Sequence, residues 1–323
     1  MTHPWYRRLL AAGIACLSLV SAACEKPSQA ATPRKVVLSI PFSGGAWENI
    51  GKALSDEYAK SVPNITTEMV KQDNLESQVD AVQAGSVDLA LEDAETAYLA
   101  FSRGTVQQPT PHDRLRAVAV MFSIAVQVAV PAGSGIERID DLRGRRVDIG
   151  APGSAVNRSA RIILESYGIH ESDITPSYAA PDTLEKFRDG QLDARFYYSA
   201  FKHPGIDSIS HQLDVRVLPI DRARLGAIQE QHHFLKLTTI PAGTYPKQAA
   251  DVQTVGMDVL LLCRQELPDT LVFELTRSLF ASVPALERAH EAARAIDPER
   301  GPTASIPLHP GAARYYRARE ILQ

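Results

Sequence analysis

Cysteine is scarce in this chain, three in 323 residues, and so is tryptophan, with two. Cys16 and Cys24 fall near the N-terminus, which leaves Cys263 alone in the body. A lone cysteine forms no internal disulfide, and no cysteines stand at the spacing of a zinc site. Aromatic residues make up 7%, too few for a broad platform that stacks sugars or bases. Neither sign of charge dominates: 34 basic and 38 acidic residues give a net −4 with no long run of one sign. That argues against nucleic acid as a partner, since nucleic-acid binders show a basic patch or stripe. No apolar run reaches the roughly 20 residues of a membrane-spanning helix. Enzyme signatures are missing too. There is no Gly-x-Ser-x-Gly elbow, no Walker loop and no Gly-x-Gly-x-x-Gly after a strand. His232 and His233 are adjacent and so diverge, which makes a poor metal pair. No catalytic residue, metal or cofactor is expected.

What is present begins at the start of the chain. His3, Arg7 and Arg8 precede an apolar stretch from Leu9 to Val20, and Ser21-Ala22-Ala23 lead to Cys24. A basic lead, a short apolar segment and small residues form the pattern of a secretory signal over residues 1–23. Small residues directly before a cysteine also resemble a bacterial lipobox, which implies lipidation of Cys24. The departure is Ser21, where leucine is usual. Ordinary cleavage near Ala23, or near Ala30 and Ala31, stays open. Residues 24–34, with two prolines, read as a tether. The expected location is periplasmic, with a lipid anchor in a bacterial membrane.

A length of 323 residues suits two domains. The body alternates strand and helix. Lys35–Ile40 reads as a strand, 41–47 as a turn, 48–61 as a helix and 65–70 as the next strand. A pattern then occurs twice. A helix over 75–84 stops at Gly85, and a strand follows over 86–91; a helix over 184–189 stops at Gly190, and a strand follows over 191–196. Both carry Gly-x-x-Asp, as two similarly built α/β lobes would, although so short a motif also arises by chance. Between the echoes, the pattern predicts a strand at 126–130, a short helix at 136–142, a strand at 145–150 and a helix at 157–167. A strand at 255–262 and a helix at 268–280 follow, with Cys263 at the end of the apolar strand and buried.

Two turns could hold a ligand. Gly150-Ala151-Pro152-Gly153-Ser154 lies between a strand and a helix, where free backbone N–H groups and the positive helix end suit a carboxylate or phosphate. The alternative is a plain N-cap at Ser154. Phe42-Ser43-Gly44-Gly45-Ala46-Trp47 makes the same offer, with Trp47 as a wall; the alternative is a tight turn with a core tryptophan. Asp93 and Glu95 follow a predicted strand, and strand ends are where α/β sites lie. Equally, they suit a solvated first helical turn, which favours acids.

Several segments together resemble the TAXI class of extracytoplasmic solute receptors, which serve tripartite ATP-independent periplasmic (TRAP) transporters. They are Gly44 through Gly51, Gln83 through Tyr98, Ser134 through Ser154, Phe187 through Pro204, Ile240 through Pro246 and Pro307 through Tyr316, in the expected order. The resemblance implies an α/β, type II periplasmic-binding-protein fold, with two lobes joined by a hinge and a ligand cleft between them. Lobe 1 is expected over 35–122 plus 238–323, and lobe 2 over 123–237. The implied function is capture of a small carboxylate-bearing metabolite, an amino acid or organic acid, for delivery to TRAP membrane subunits. The implied site comprises Ser43, Gly44, Gly45, Trp47, Asp93, Glu95, Gly153, Ser154, Ala155, Tyr197, Tyr198 and Ser199. Relatives often carry threonine where Val156 stands, and Gln-Ser-Asp where this chain has Asp93-Ala94-Glu95. The extra carboxylate would repel an acidic ligand, and so favour one with an ammonium group or a different solute altogether. A lipoprotein that signals to a sensor kinase, or a periplasmic enzyme on the same scaffold, are the alternatives.

Overall fold

Apolar residues at helical spacing, Ile50, Leu54 and Tyr58, bury one face of α1 (Gly45–Ser61) between β1 (Arg34–Ile40) and β2 (Ile65–Lys71). A reciprocal cap between Asn74 and Ser77 starts α2 (Leu75–Ala84), and Gly85 ends it in the left-handed region at φ 80°. β3 (Leu89–Asp93) runs directly into α3 (Ala94–Arg103). The long β4 (Leu115–Pro131) then leads to β5 (Arg146–Asp148), α4 (Ala155–Ser166), β6 (Thr175–Ser177) and α5 (Thr183–Arg188). These are followed by β7 (Ala194–Ser199), α6 (Pro204–Ser210), β8 (Val215–Val217) and α7 (Arg222–Gln231). β9 (Lys236–Ile240) and the long β10 (Val252–Arg264) bring the chain back, and α8 (Asp269–Ala281), α9 (Val283–Ala289) and α10 (Pro310–Ala318) complete it. The structure, a computed structural model, describes residues 33–41, 44–179, 181–232 and 234–323. The signal segment, Cys24 and Ser43 lie outside the described residues.

The strands form one sheet in the order β2-β1-β3-β10-β4-β7-β5-β6, with β8 added on β4 and β9 on β10. The two long strands each serve both ends of it. β10 pairs with β9 through Val252–Gly256 and with β3 through Val259–Cys263. β4 pairs with β10 from Leu115 to Ala125, and with β7 from Ala125 to Ala129. Two α/β regions result, each with its own parallel strands, and the chain crosses on β4 and returns on β10. At the crossing, a Cβ on Gly256 would sit 2.3 Å from the Ile124 carbonyl oxygen, so glycine lets the two strands meet. Beside it the buried Asp258 accepts from Ser123 at 3.0 Å and from Arg300 at 2.5 Å, and pairs with Lys236.

The Gly-x-x-Asp echo is a shared piece of construction. In the first region Asp88 donates its N–H to the Val37 carbonyl at 2.9 Å, while its carboxylate accepts the Val37 N–H at 3.0 Å. In the second, Asp193 donates to the Arg146 carbonyl at 2.9 Å and accepts the Arg146 N–H at 2.8 Å. Each aspartate clips the head of a strand to its parallel neighbour, and each also pairs with arginine: Asp88 with Arg264 and Arg34, Asp193 with Arg146. The strands begin later than the sequence suggests, at Leu89 and Ala194. The residues just past each glycine still donate to the preceding helix, Ser86 to Ala81 and Gln191 to Lys186. Two further expectations change. The strand expected at 126–130 starts at Leu115. The expected helix at 136–142 shrinks to a 3-10 turn over Ile139–Leu142, because the Asp141 carboxylate takes the N–H groups of Glu137 and Arg138.

Candidate functional site

Four connections leave the C-terminal ends of parallel strands: β1 to α1, β3 to α3, β5 to α4 and β7 to α6. Ligands of open α/β sheets bind outside such ends. Here the four surround a cavity of about 1280 Å³. Its walls carry Gly44, Gly45 and Trp47 before and in α1, Asp93 and Glu95 at α3, Gly153, Ser154 and Ala155 at α4, and Tyr198 and Ser199 at the end of β7. Residues singled out from four separate stretches of sequence thus share one space. Tyr197 does not join them. Side chains alternate along a strand, so Tyr197 turns to the other face, into a cluster with Ala129, Ile206, Val217 and Tyr245. There its ring packs on His203, with centroids 4.5 Å apart.

Each wall has its own chemistry. Trp47 is buried edge-to-face on Phe122, with ring centroids 5.6 Å apart, and is both core and cavity wall. The Gly44 N–H donates to the Glu48 carboxylate, so one donor of the first turn is already taken. Ser154 is the N-cap of α4, its hydroxyl oxygen accepting the Asn157 N–H at 3.1 Å. That bond uses a lone pair and leaves the hydroxyl proton to donate. Gly150, at φ 76°, fixes the turn: a Cβ there would meet Val156 at 2.8 Å. Asp93 is the N-cap of α3, accepting from the Thr96 N–H at 2.7 Å and the Thr96 hydroxyl at 3.1 Å. Burial raises its pKa against those two bonds. Glu95, two residues further on, has no hydrogen bond or ion pair among the described residues. Burial, and then the carboxylates of Asp93 and Glu95, hold the Tyr198 phenol well above its usual range, so it stays protonated.

Other lining residues carry chemistry that the sequence reading did not single out. Arg158 lies on α4, four residues past Ser154, and donates to the Gly153 carbonyl at 2.9 Å. That spacing is one helical turn and was the available signal. Arg103, Lys202, His203, His232 and His290 also line the cavity. Lys202 pairs with Asp207 at 2.9 Å. Burial, with Arg195 nearby, pushes the His203 imidazole down to about 4, so it is neutral at pH 7. The loop that carries Lys202 and His203 is tied down by Tyr245, whose hydroxyl accepts the His203 N–H at 2.8 Å and hydrogen-bonds Gln127 at 2.5 Å. Among the described residues, no group of three His, Cys, Asp or Glu is placed to hold a metal, and no helix is long and apolar enough to cross a membrane.

Comparison with solved structures finds XAC2383 from Xanthomonas citri bound to ATP, at TM-score 0.51 and 13% identity, covering 90% of this chain and 99% of that one. The periplasmic aliphatic sulphonate binding protein SsuA from Escherichia coli is similar at TM-score 0.46 and 18% identity, over 80% of this chain and 79% of that one. The probable amino-acid ABC transporter extracellular-binding protein ytmK from Bacillus subtilis is similar at 0.47 and 10%, over 81% and 97%. The fold is type II periplasmic-binding-protein, α/β, with the cleft between its two regions. The model of the NMT1-like family matches residues 43–319, and the chain therefore belongs to the NMT1-like family.

Proposed function

We propose that this chain is an extracytoplasmic solute-binding receptor that captures a small carboxylate-bearing metabolite and presents it to a TRAP-type membrane transporter. The observation that carries the reading is the cavity of about 1280 Å³, rimmed by strand ends and helix N-termini from both α/β regions. Such a space takes a small molecule, and it gains contacts when the two regions swing together about β4 and β10. The two lobes divide at about 123 on the way out. On the return we place the boundary near Gly256 instead of 237, because β9 pairs with the first half of β10. The carboxylate sits at the start of α4, against the Ser154 hydroxyl, the first-turn amides and Arg158. The ordered resemblance to TAXI receptors supports the TRAP partner, and the signal-like N-terminus supports the location and an anchor at Cys24.

A thermal-shift panel of amino acids and small carboxylates tests the reading. A true ligand at a hundred times its dissociation constant stabilises the folded state by about 2.7 kcal/mol. No shift with any member of the panel would sink the carboxylate assignment.

A further inference from the structure

The wall between α3 and α4 has two electrical poles. At the α4 end stand donors: the Ser154 hydroxyl, the first-turn amides and Arg158, whose guanidinium is drawn toward this turn by its bond to the Gly153 carbonyl at 2.9 Å. At the α3 end stand acceptors. Asp93 is committed, since both its oxygens take bonds from Thr96. Glu95 is not: it is half-buried, it faces the cavity, and the α3 N-terminus beside it is already capped. Next to Glu95 the cavity narrows to a recess of about 20 Å³, lined also by Asp93, Tyr198 and Arg158. That is room for one water-sized group. The Tyr198 hydroxyl, packed behind this recess and screened from solvent, has no hydrogen-bond partner among the described residues. A half-buried carboxylate without an ion pair at one small opening, with an unsatisfied phenol behind it, calls for a partner from outside the chain.

We propose that this recess is a subsite for a protonated amine of the ligand, with Glu95 as the specificity-determining residue, so that the receptor prefers an amino acid to the 2-oxo acid of the same skeleton. The inference rests on the receptor reading above and narrows its ligand class. An ammonium group is close to water in size. It donates to the Glu95 carboxylate as a charge-assisted bond and, once a small turn of the ring uncovers it, donates again to the Tyr198 oxygen, while the ligand carboxylate reaches the donors of α4. A ketone oxygen in the same place is an acceptor. It meets the lone pairs of Glu95, satisfies nothing there, and leaves the carboxylate without a counter-charge.

The test is isothermal titration of the whole mature chain at pH 7 with matched pairs: L-glutamate and 2-oxoglutarate, L-leucine and 4-methyl-2-oxopentanoate, L-alanine and pyruvate. In the pair that binds tightest, the amino acid is expected to win by about tenfold or more. Glu95→Gln should erase most of that ratio by weakening the amino acid while the oxo acid holds or improves. Tyr198→Phe, which keeps the ring, should lower the ratio in the same direction. An oxo acid that binds wild type as well as its amino acid overturns the proposal. So does a Glu95→Gln variant that weakens both members equally, because Glu95 would then serve closure by pairing with Arg158. If no member of any pair binds, the carboxylate-receptor reading falls first and the subsite falls with it, a result unlike a lost or inverted ratio.

Discussion

One oxygen on Ser154 does two jobs, and the two can be separated. As the cap of α4 it accepts the Asn157 N–H; as a cavity group it has a proton to give. Ser154→Ala is expected to cost about 1 kcal/mol of stability, while Ser154→Gly costs only a few tenths, because glycine tolerates the cap position. Both remove the hydroxyl donor, so both should weaken binding of an anionic ligand several-fold, with urea midpoints that differ. An unchanged dissociation constant in both removes Ser154 from the site. Glu92, one residue before the α3 cap, makes a second prediction. It is fully buried, its carboxylate accepting from the Gln78 amide at 3.3 Å and the Asp93 N–H at 2.9 Å, and no cation pairs with it among the described residues. Burial, and then Asp93, raises its pKa well above the usual carboxylate range. A raised carboxyl contributes stability that is complete below the unfolded value of about 4.3 and lost as pH climbs toward the folded one. Glu92→Gln should therefore gain on wild type in urea unfolding between pH 5 and pH 8. Parallel stabilities across that range would show that Glu92 is already ionised in the folded protein and its pKa is not raised. At this scale the sequence was readable where a residue type had one use. Ser154 is cap and cavity residue together, so neither of its alternative readings excluded the other, whereas Asp93 caps α3 from a buried position instead of a solvated first turn. His290 comes from the far end of the chain and left no local signal.

At the scale of elements, the hydrophobic period and the glycine stops located five of the ten α-helices of the described residues, and α2 matches its expected bounds because both its capping pair and Gly85 are local signals. Strand starts were less legible. The backbone past each Gly-x-x-Asp glycine looks extended in sequence, yet its N–H groups finish the preceding helix. The first half of β4 was missed for a different reason. From Ala117 to Phe122 every residue is buried, so the strand shows no alternation to read. The bond between Asp88 or Asp193 and a neighbouring strand is a tertiary fact that the motif could only hint at. The crossing of β4 and β10 gives the prediction for this scale. Gly256→Ala forces a methyl to within 2.3 Å of the Ile124 carbonyl, which the strands can relieve only by parting. A loss of about 1–3 kcal/mol is expected on thermal or urea unfolding. A variant as stable as wild type would mean that the crossing yields easily.

For the whole molecule, the order of weak motifs along the chain carried more than any one of them, since four distant turns converge only once the sheet topology is in place. The match over residues 43–319 and the α/β fold establish the NMT1-like family, while the proposed ligand depends on the cavity and the proposed transporter on the resemblance. Native mass spectrometry after incubation with the amino-acid and carboxylate panel puts the cavity to the test. The account predicts one ligand per chain for wild type, and none for Ala155→Trp, which fills the space at the head of α4. A bare chain throughout, or an adduct that the plugged variant keeps, would contradict it.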